Sequence, residues 1–134
     1  MGGEVVKSNY KIALALFAGA AMGGAAVHGL HAQGKPTAYM VGEVDVTNQD
    51  AFVKDYVPFA MKALGESGSG YKALAVGGRT SVIEGDPPKR IVINSFDSLD
   101  QAVAAYNSAA YKEVATIGRK YGTFRIYAVE GLPQ

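Results

Sequence analysis

Two apolar stripes of helical period, each followed by a segment of alternating pattern, set the limits on what this chain can fold into. Phe52, Tyr56, Phe59, Ala60 and Ala63 recur at intervals of three and four. Leu99, Ala102, Val103, Tyr106, Ala110, Val114 and Ile117 form the second stripe. That period predicts helices over 49–64 and 99–121, each burying one face. Thr47 and Asn48 suit the first N-cap with Asp50 in the opening turn, and Pro58 is expected to kink that helix. Ser98 or Asp97 caps the second helix, Asn107-Ser108 is a candidate break, and Gly122 is expected to close it.

Around the helices the period changes to two. Over 37–46, Tyr39, Val41, Glu43 and Asp45 fall on one face and Met40, Gly42, Val44 and Val46 on the other. Residues 71–76 and 80–84 read as two strands joined at Gly77-Gly78-Arg79 in a hairpin-type turn. The segment 90–96 holds the contiguous Ile91, Val92 and Ile93, a composition that suits a central strand. Over 123–129, Phe124, Ile126 and Ala128 alternate with Arg125, Tyr127 and Val129. Gly65 to Gly70 reads as a flexible loop. The order of elements predicts an α+β fold, a ferredoxin-like antiparallel sheet with two helices on one face. The open face, assigned Tyr39, Val41, Glu43, Val92, Asn94, Phe96 and Tyr127, is too apolar for bulk water. A homodimer that encloses a cavity, a dimeric α+β barrel, is therefore expected.

Ahead of this domain lies a leader. Lys7 and Lys11 precede an uncharged run from Ile12 to Val27, ten of whose residues are Ala or Gly. A secretory apolar core needs roughly 7–15 residues and a spanning helix about 20. Cleavage after Ala32 would leave a linker at 33–36 and a domain over 37–131, periplasmic or secreted. The competing expectation extends the run from Ile12 to Ala32 as a membrane anchor, with the domain outside the cytoplasm. There Gly19/Gly23 and Ala20/Gly24 supply small-residue spacing for a membrane-complex partner.

Without the leader about 100 residues remain, enough for one small core. Thirteen basic and twelve acidic residues, less Lys7, Lys11 and Glu4, balance to zero, which argues against a nucleic acid partner. Cysteine is absent and both histidines, His28 and His31, lie in the leader. The domain thus lacks the commonest metal ligands and general base, and no cofactor and no metal is expected.

Gly77-Gly78-Arg79, Val82-Ile83-Glu84-Gly85, Arg90-Ile91-Val92-Ile93, Phe96 and the stretch from Ala105 to Tyr111, with Arg119 beyond it, together resemble the domain-of-unknown-function family DUF1330. The resemblance covers roughly 37–131 and implies a protomer of the dimeric α+β barrel superfamily, which includes cofactor-independent monooxygenases and haem proteins. Many relatives carry a Glu before the strand-ending Phe where this chain has Ser95, which takes a carboxylate out of the pattern.

Three groups are candidates for ligand binding. Glu84 with Arg79 or Arg90 could make a charged pair at a cavity mouth, or an ordinary salt bridge at the sheet edge. Tyr106, Tyr111 and Arg119 could present phenols and a cation to a ligand, or pack helix on sheet. Tyr39, Glu43 and Asn94 could line the enclosed cavity, or form a satisfied dimer interface. The leading expectation is an exported homodimer that binds an unknown small molecule. The alternatives are a membrane-anchored accessory subunit and, by superfamily analogy, a cofactor-independent oxygenase or isomerase. Intact mass of the protein from its native host separates these: a mature N-terminus near Gln33 is expected, and a full-length mass would support the anchor instead.

Overall fold

The structure, a computed structural model, describes residues 34–134. The leader, with its histidines and small-residue spacing, lies outside the described residues. Among those described, no helix is long and apolar enough to cross a membrane. Strand β1 (Ala38–Val46) leads into helices α1 (Gln49–Asp55) and α2 (Val57–Gly65). Strands β2 (Lys72–Val76) and β3 (Arg90–Phe96) follow, then helices α3 (Leu99–Asn107) and α4 (Ala109–Gly118) and strand β4 (Gly122–Glu130). The strands form one antiparallel sheet in the order β2-β3-β1-β4, the ferredoxin-like arrangement.

Local chemistry explains the joints. Asn48 caps α1 by accepting from the Ala51 N–H at 3.1 Å. The expected kink appears as a break at Tyr56, because Pro58 has no N–H to give back to the preceding turn. Ser98 caps α3 by accepting from the Gln101 N–H. Ser108 divides the second helical stretch as expected: its hydroxyl donates to the Ala105 carbonyl at 2.8 Å and accepts from the Tyr111 N–H at 3.2 Å. One side chain thus ends α3 and begins α4.

Three expectations are corrected. Residues 80–84 form no strand; the whole connection 77–89 is irregular and mostly exposed. Gly77 and Gly85 adopt positive φ (67° and 74°), Pro87 and Pro88 cannot donate to a ladder, and Ile83 stands 99% exposed with no neighbouring strand. Gly122 does not close the helix but opens β4; Lys120 and Tyr121 tighten the turn by donating to Ile117 and Gly118. The loop at 65–70 is anchored rather than free: Ser69 is buried, its hydroxyl bonds Ser67, and its carbonyl accepts from the Asp97 N–H.

β1 turns Ala38, Met40, Gly42, Val44 and Val46 toward the helices. Its pairing carries Arg90, Val92, Asn94 and Phe96 of β3 and Phe124, Ile126 and Ala128 of β4 to that same side. Phe52 and Phe96 are almost wholly buried, each worth roughly 1.5–3 kcal/mol of transfer free energy. Phe52, Tyr56 and Phe124 form an aromatic trio with ring centroids 4.9–5.9 Å apart. Gly118 fits against it: a Cβ there would meet Tyr56 ring carbons at 2.7 and 2.8 Å and Phe124 at 3.0 Å. Helix propensity favours Gly→Ala by about 1 kcal/mol. Overpacking a rigid aromatic contact costs about 1–3 kcal/mol. Gly118→Ala is therefore expected to lower Tm by several degrees in thermal denaturation; a rise would refute the close contact.

Candidate functional site

The parity of β3 decides which of its side chains face the helices. Between the sheet and the α1–α2 pair lies a cavity of about 60 Å³, room for several waters or one small organic group. Gly42, Val92, Asn94 and Ile126 belong to its sheet wall; Phe52, Tyr56, Ala60, Leu64 and Tyr111 belong to its helix wall. The space exists partly because Gly42 puts no side chain at the centre of β1's buried face. A Cβ there would meet only ordinary contacts, Val92 at 3.6 Å and Ile126 at 3.9 Å.

Polar groups in this wall are few. The Tyr56 and Tyr111 hydroxyls share a buried hydrogen bond of 2.8 Å. Burial pushes both phenols above their ordinary range, so both are neutral at physiological pH. Tyr106 packs against Tyr111 in a tilted arrangement with ring centroids 4.8 Å apart. Asn94, 6% exposed, has a side-chain oxygen with no hydrogen-bond partner. Buried acceptors are nearly always paired, which makes this one an exception within the wall. Among the described residues the wall carries no carboxylate, imidazole or amine, and no metal-ligating cluster occurs. The arrangement can hold an apolar body and hydrogen-bond it; it offers no base.

The opposite face of the sheet is different. Tyr39, Val41 and Glu43 of β1 lie level with Ser95, Ile93 and Ile91 of β3 and with Val129, Tyr127 and Arg125 of β4. Apolar side chains dominate, and Tyr127 and Val129 are about half exposed. At its centre the Glu43 carboxylate accepts from Arg125 Nε at 2.6 Å and from the Tyr127 hydroxyl at 2.9 Å. Those bonds, Tyr127 first, hold Glu43 below the usual carboxylate range.

The eight candidate residues therefore do not form one site. Asn94 and Tyr111 meet in the cavity. Tyr39 and Glu43 share the open face, as read from the alternation of β1. Asn94, with Val92 and Phe96, was expected on that open face and is on the helix side instead; pairing with Met40, Gly42 and Ala38 fixes it there. Tyr106 and Arg119 border a shallow outer groove beside β4. Arg79 and Glu84 lie exposed in the 77–89 connection, and among the described residues Glu84 pairs with neither Arg79 nor Arg90. Sequence reasoning missed the cavity roles of Tyr56 and Gly42. Tyr56 was visible only as one member of a helical stripe, while a glycine inside a strand is a recognisable mark of space or close approach. Ser95 faces away from the cavity, so the carboxylate missing there would have belonged to the open face.

Comparison with known proteins bears on the fold. A protein of unknown function from Rhodopseudomonas palustris superposes with a TM-score of 0.51 at 14% identity, over 75% of this chain and 85% of that one. An Arabidopsis thaliana protein gives 0.52 at 16% identity over 76% and 92%. A protein of the antibiotic biosynthesis monooxygenase type from Nitrosomonas europaea gives 0.51 at 14% over 72% and 98%. At such identities these likenesses establish the fold. No curated protein matches the chain. The family model described as a domain of unknown function (DUF1330) matches residues 37–132, and the chain belongs to that family.

Proposed function

We propose that each protomer binds a small, largely apolar molecule carrying a hydrogen-bond donor in the cavity between sheet and helices, and that two protomers pair through their open sheet faces. The observation that carries the first part is the unpartnered Asn94 oxygen in an otherwise apolar wall. The second part draws on the open face, whose Tyr39, Val41, Ile91, Ile93, Tyr127 and Val129 form a patch that soluble monomers rarely leave uncovered. The leader supports export of this domain, membrane retention being the competing outcome of the mass measurement given above. Turnover, where it occurs, would be driven by the ligand's own reactivity, since the wall supplies neutral phenols and an amide. Cofactor-independent oxygenation or isomerisation fits that description.

Binding is tested with phenol and toluene, followed by the methyl resonances of Met40, Val44 and Ile126. Wild type is expected to prefer phenol by about fivefold to tenfold, the worth of one hydrogen bond to a buried acceptor. Asn94→Ala removes the preference, and Gly42→Val, which adds a side chain in the cavity, blocks both probes. Equal affinities in wild type, or a preference untouched by Asn94→Ala, would sink the proposal.

Pairing is tested by light scattering on residues 33–134, where a stable monomer at micromolar concentration would refute it. A pH series adds a sign. Glu43 titrates below its ordinary range in the folded protein, so its contribution is complete at neutral pH and is lost on acidification past that range. Protonation leaves Arg125 without its anion inside the interface, and the dimer is expected to weaken with falling pH. Glu43→Gln should abolish that dependence.

A further inference from the structure

The helix-side residues of β3 read Arg90, Val92, Asn94 and Phe96, and two of these are buried polar groups. Each carries a polar atom without a partner: Nε of Arg90, a donor, and Oδ1 of Asn94, an acceptor. Arg90 is the more unusual. It is 8% exposed, and among the described residues no carboxylate lies within salt-bridge distance of it. Its guanidinium donates from Nη2 to the Val76 carbonyl at 3.2 Å and lies 5.5 Å from the centre of the Phe52 ring. Gly77 wraps closely around it; a Cβ there would come within 2.4 Å of Cζ. Burial alone lowers its affinity for its proton, with no neighbouring anion to offset the effect. A buried guanidinium ordinarily has an anion as partner.

The geometry links this cation to the cavity. Arg90 is not itself a lining residue, but Phe52 and Val76, which its guanidinium meets, both line the cavity, as does its cross-strand partner Val44. Val92 stands in the cavity wall between Arg90 and Asn94. Four strand rises separate the two polar positions by roughly 13 Å at their backbones, the gap a ligand must bridge. Arg rather than Lys suits the position, because one N–H can hold Val76 while the rest of the fork stays available.

We propose that the cavity's ligand is a small carboxylate with a short apolar body, its anion paired with Arg90 and a hydroxyl or N–H given to Asn94. This rests on the cavity being the ligand site and adds the charge and polarity of what enters it. The unpartnered donor and the unpartnered acceptor would both be satisfied by one such molecule, and the cation would gain the anion that the fold does not provide.

Matched neutral and carboxylate pairs test this by calorimetry: phenol against 4-hydroxybenzoate, and 1-pentanol against 5-hydroxypentanoate. In wild type the carboxylate of a pair is expected to bind about tenfold tighter or more, as befits a charge-assisted bond in a desolvated site. In Arg90→Met the preference reverses, because the carboxylate then loses water without gaining a cation, while the neutral member keeps its affinity. Arg90→Lys, which retains the charge, keeps part of the preference and covers failure of the Met variant to fold. No preference in wild type, or one that survives in Arg90→Met, overturns the inference. Phenol binding that depends on Asn94 without any gain from the carboxylate overturns this inference and leaves the cavity as a ligand site; absence of binding by every compound overturns both.

Discussion

Tyr56 is the contact on which the rest of this domain depends. It stands where α1 breaks from α2, its ring packs on Phe52 and Phe124, and its hydroxyl ties the first helix pair to Tyr111 on the second. The break exists because Pro58 interrupts the backbone ladder, and it directs the two short helices around one side of the sheet. Gly118 gives the ring its space, and Ser108 fixes the turn that brings Tyr111 to meet it. Together these make the helix wall stiff enough for an apolar space to persist over Gly42. Without them the side chains around that glycine would be free to collapse into it.

The α+β class and the order of elements were legible because the stripes of Phe52 to Ala63 and Leu99 to Ile117 have a clear helical period. The faces of β1 and β4 were legible for a similar reason, since polar and apolar side chains alternate along them. β3 was not. Ile91, Val92 and Ile93 are apolar on both sides, so the strand has no alternation from which to take a parity. Only the pairing of Met40 with Asn94 and Gly42 with Val92 assigns it, and that is a tertiary fact. The error put Asn94, with Val92 and Phe96, on the wrong side of the sheet and grouped it with Tyr39 and Glu43. The false strand at 80–84 has a related origin: Val82 and Ile83 look like a strand locally, but nothing lies beside them to complete a ladder.

Of the residues that line the cavity, the sequence offered only Asn94 and Tyr111 as ligand-binding candidates. Tyr111 and Asn94 were placed in separate constellations, and Arg90 was considered only as a partner for Glu84. Spacing along a chain does not reveal which side chains converge when a helix crosses a sheet. Departures from ordinary folding rules reveal it better. A glycine in a central strand and two unpaired polar atoms on a buried face each work against stability; Gly42 and Asn94 line one space, and Arg90 stands on the same face of β3 as Asn94. Local rules are most often broken where function is served.

A sheet is one chain thick, so β3 is a partition with a different environment on each side. Val92 and Asn94 belong to the interior of one protomer, while Ile91 and Ile93, their immediate neighbours in sequence, belong to the exposed side. The inner and outer faces are therefore written in alternate letters of the same seven-residue word. A substitution on one face leaves the side chains of the other face in place. A slip of one residue in pairing would exchange the two sets at once. The cross-strand register of β1 and β3 is thus the feature that assigns each side chain of β3 to its face.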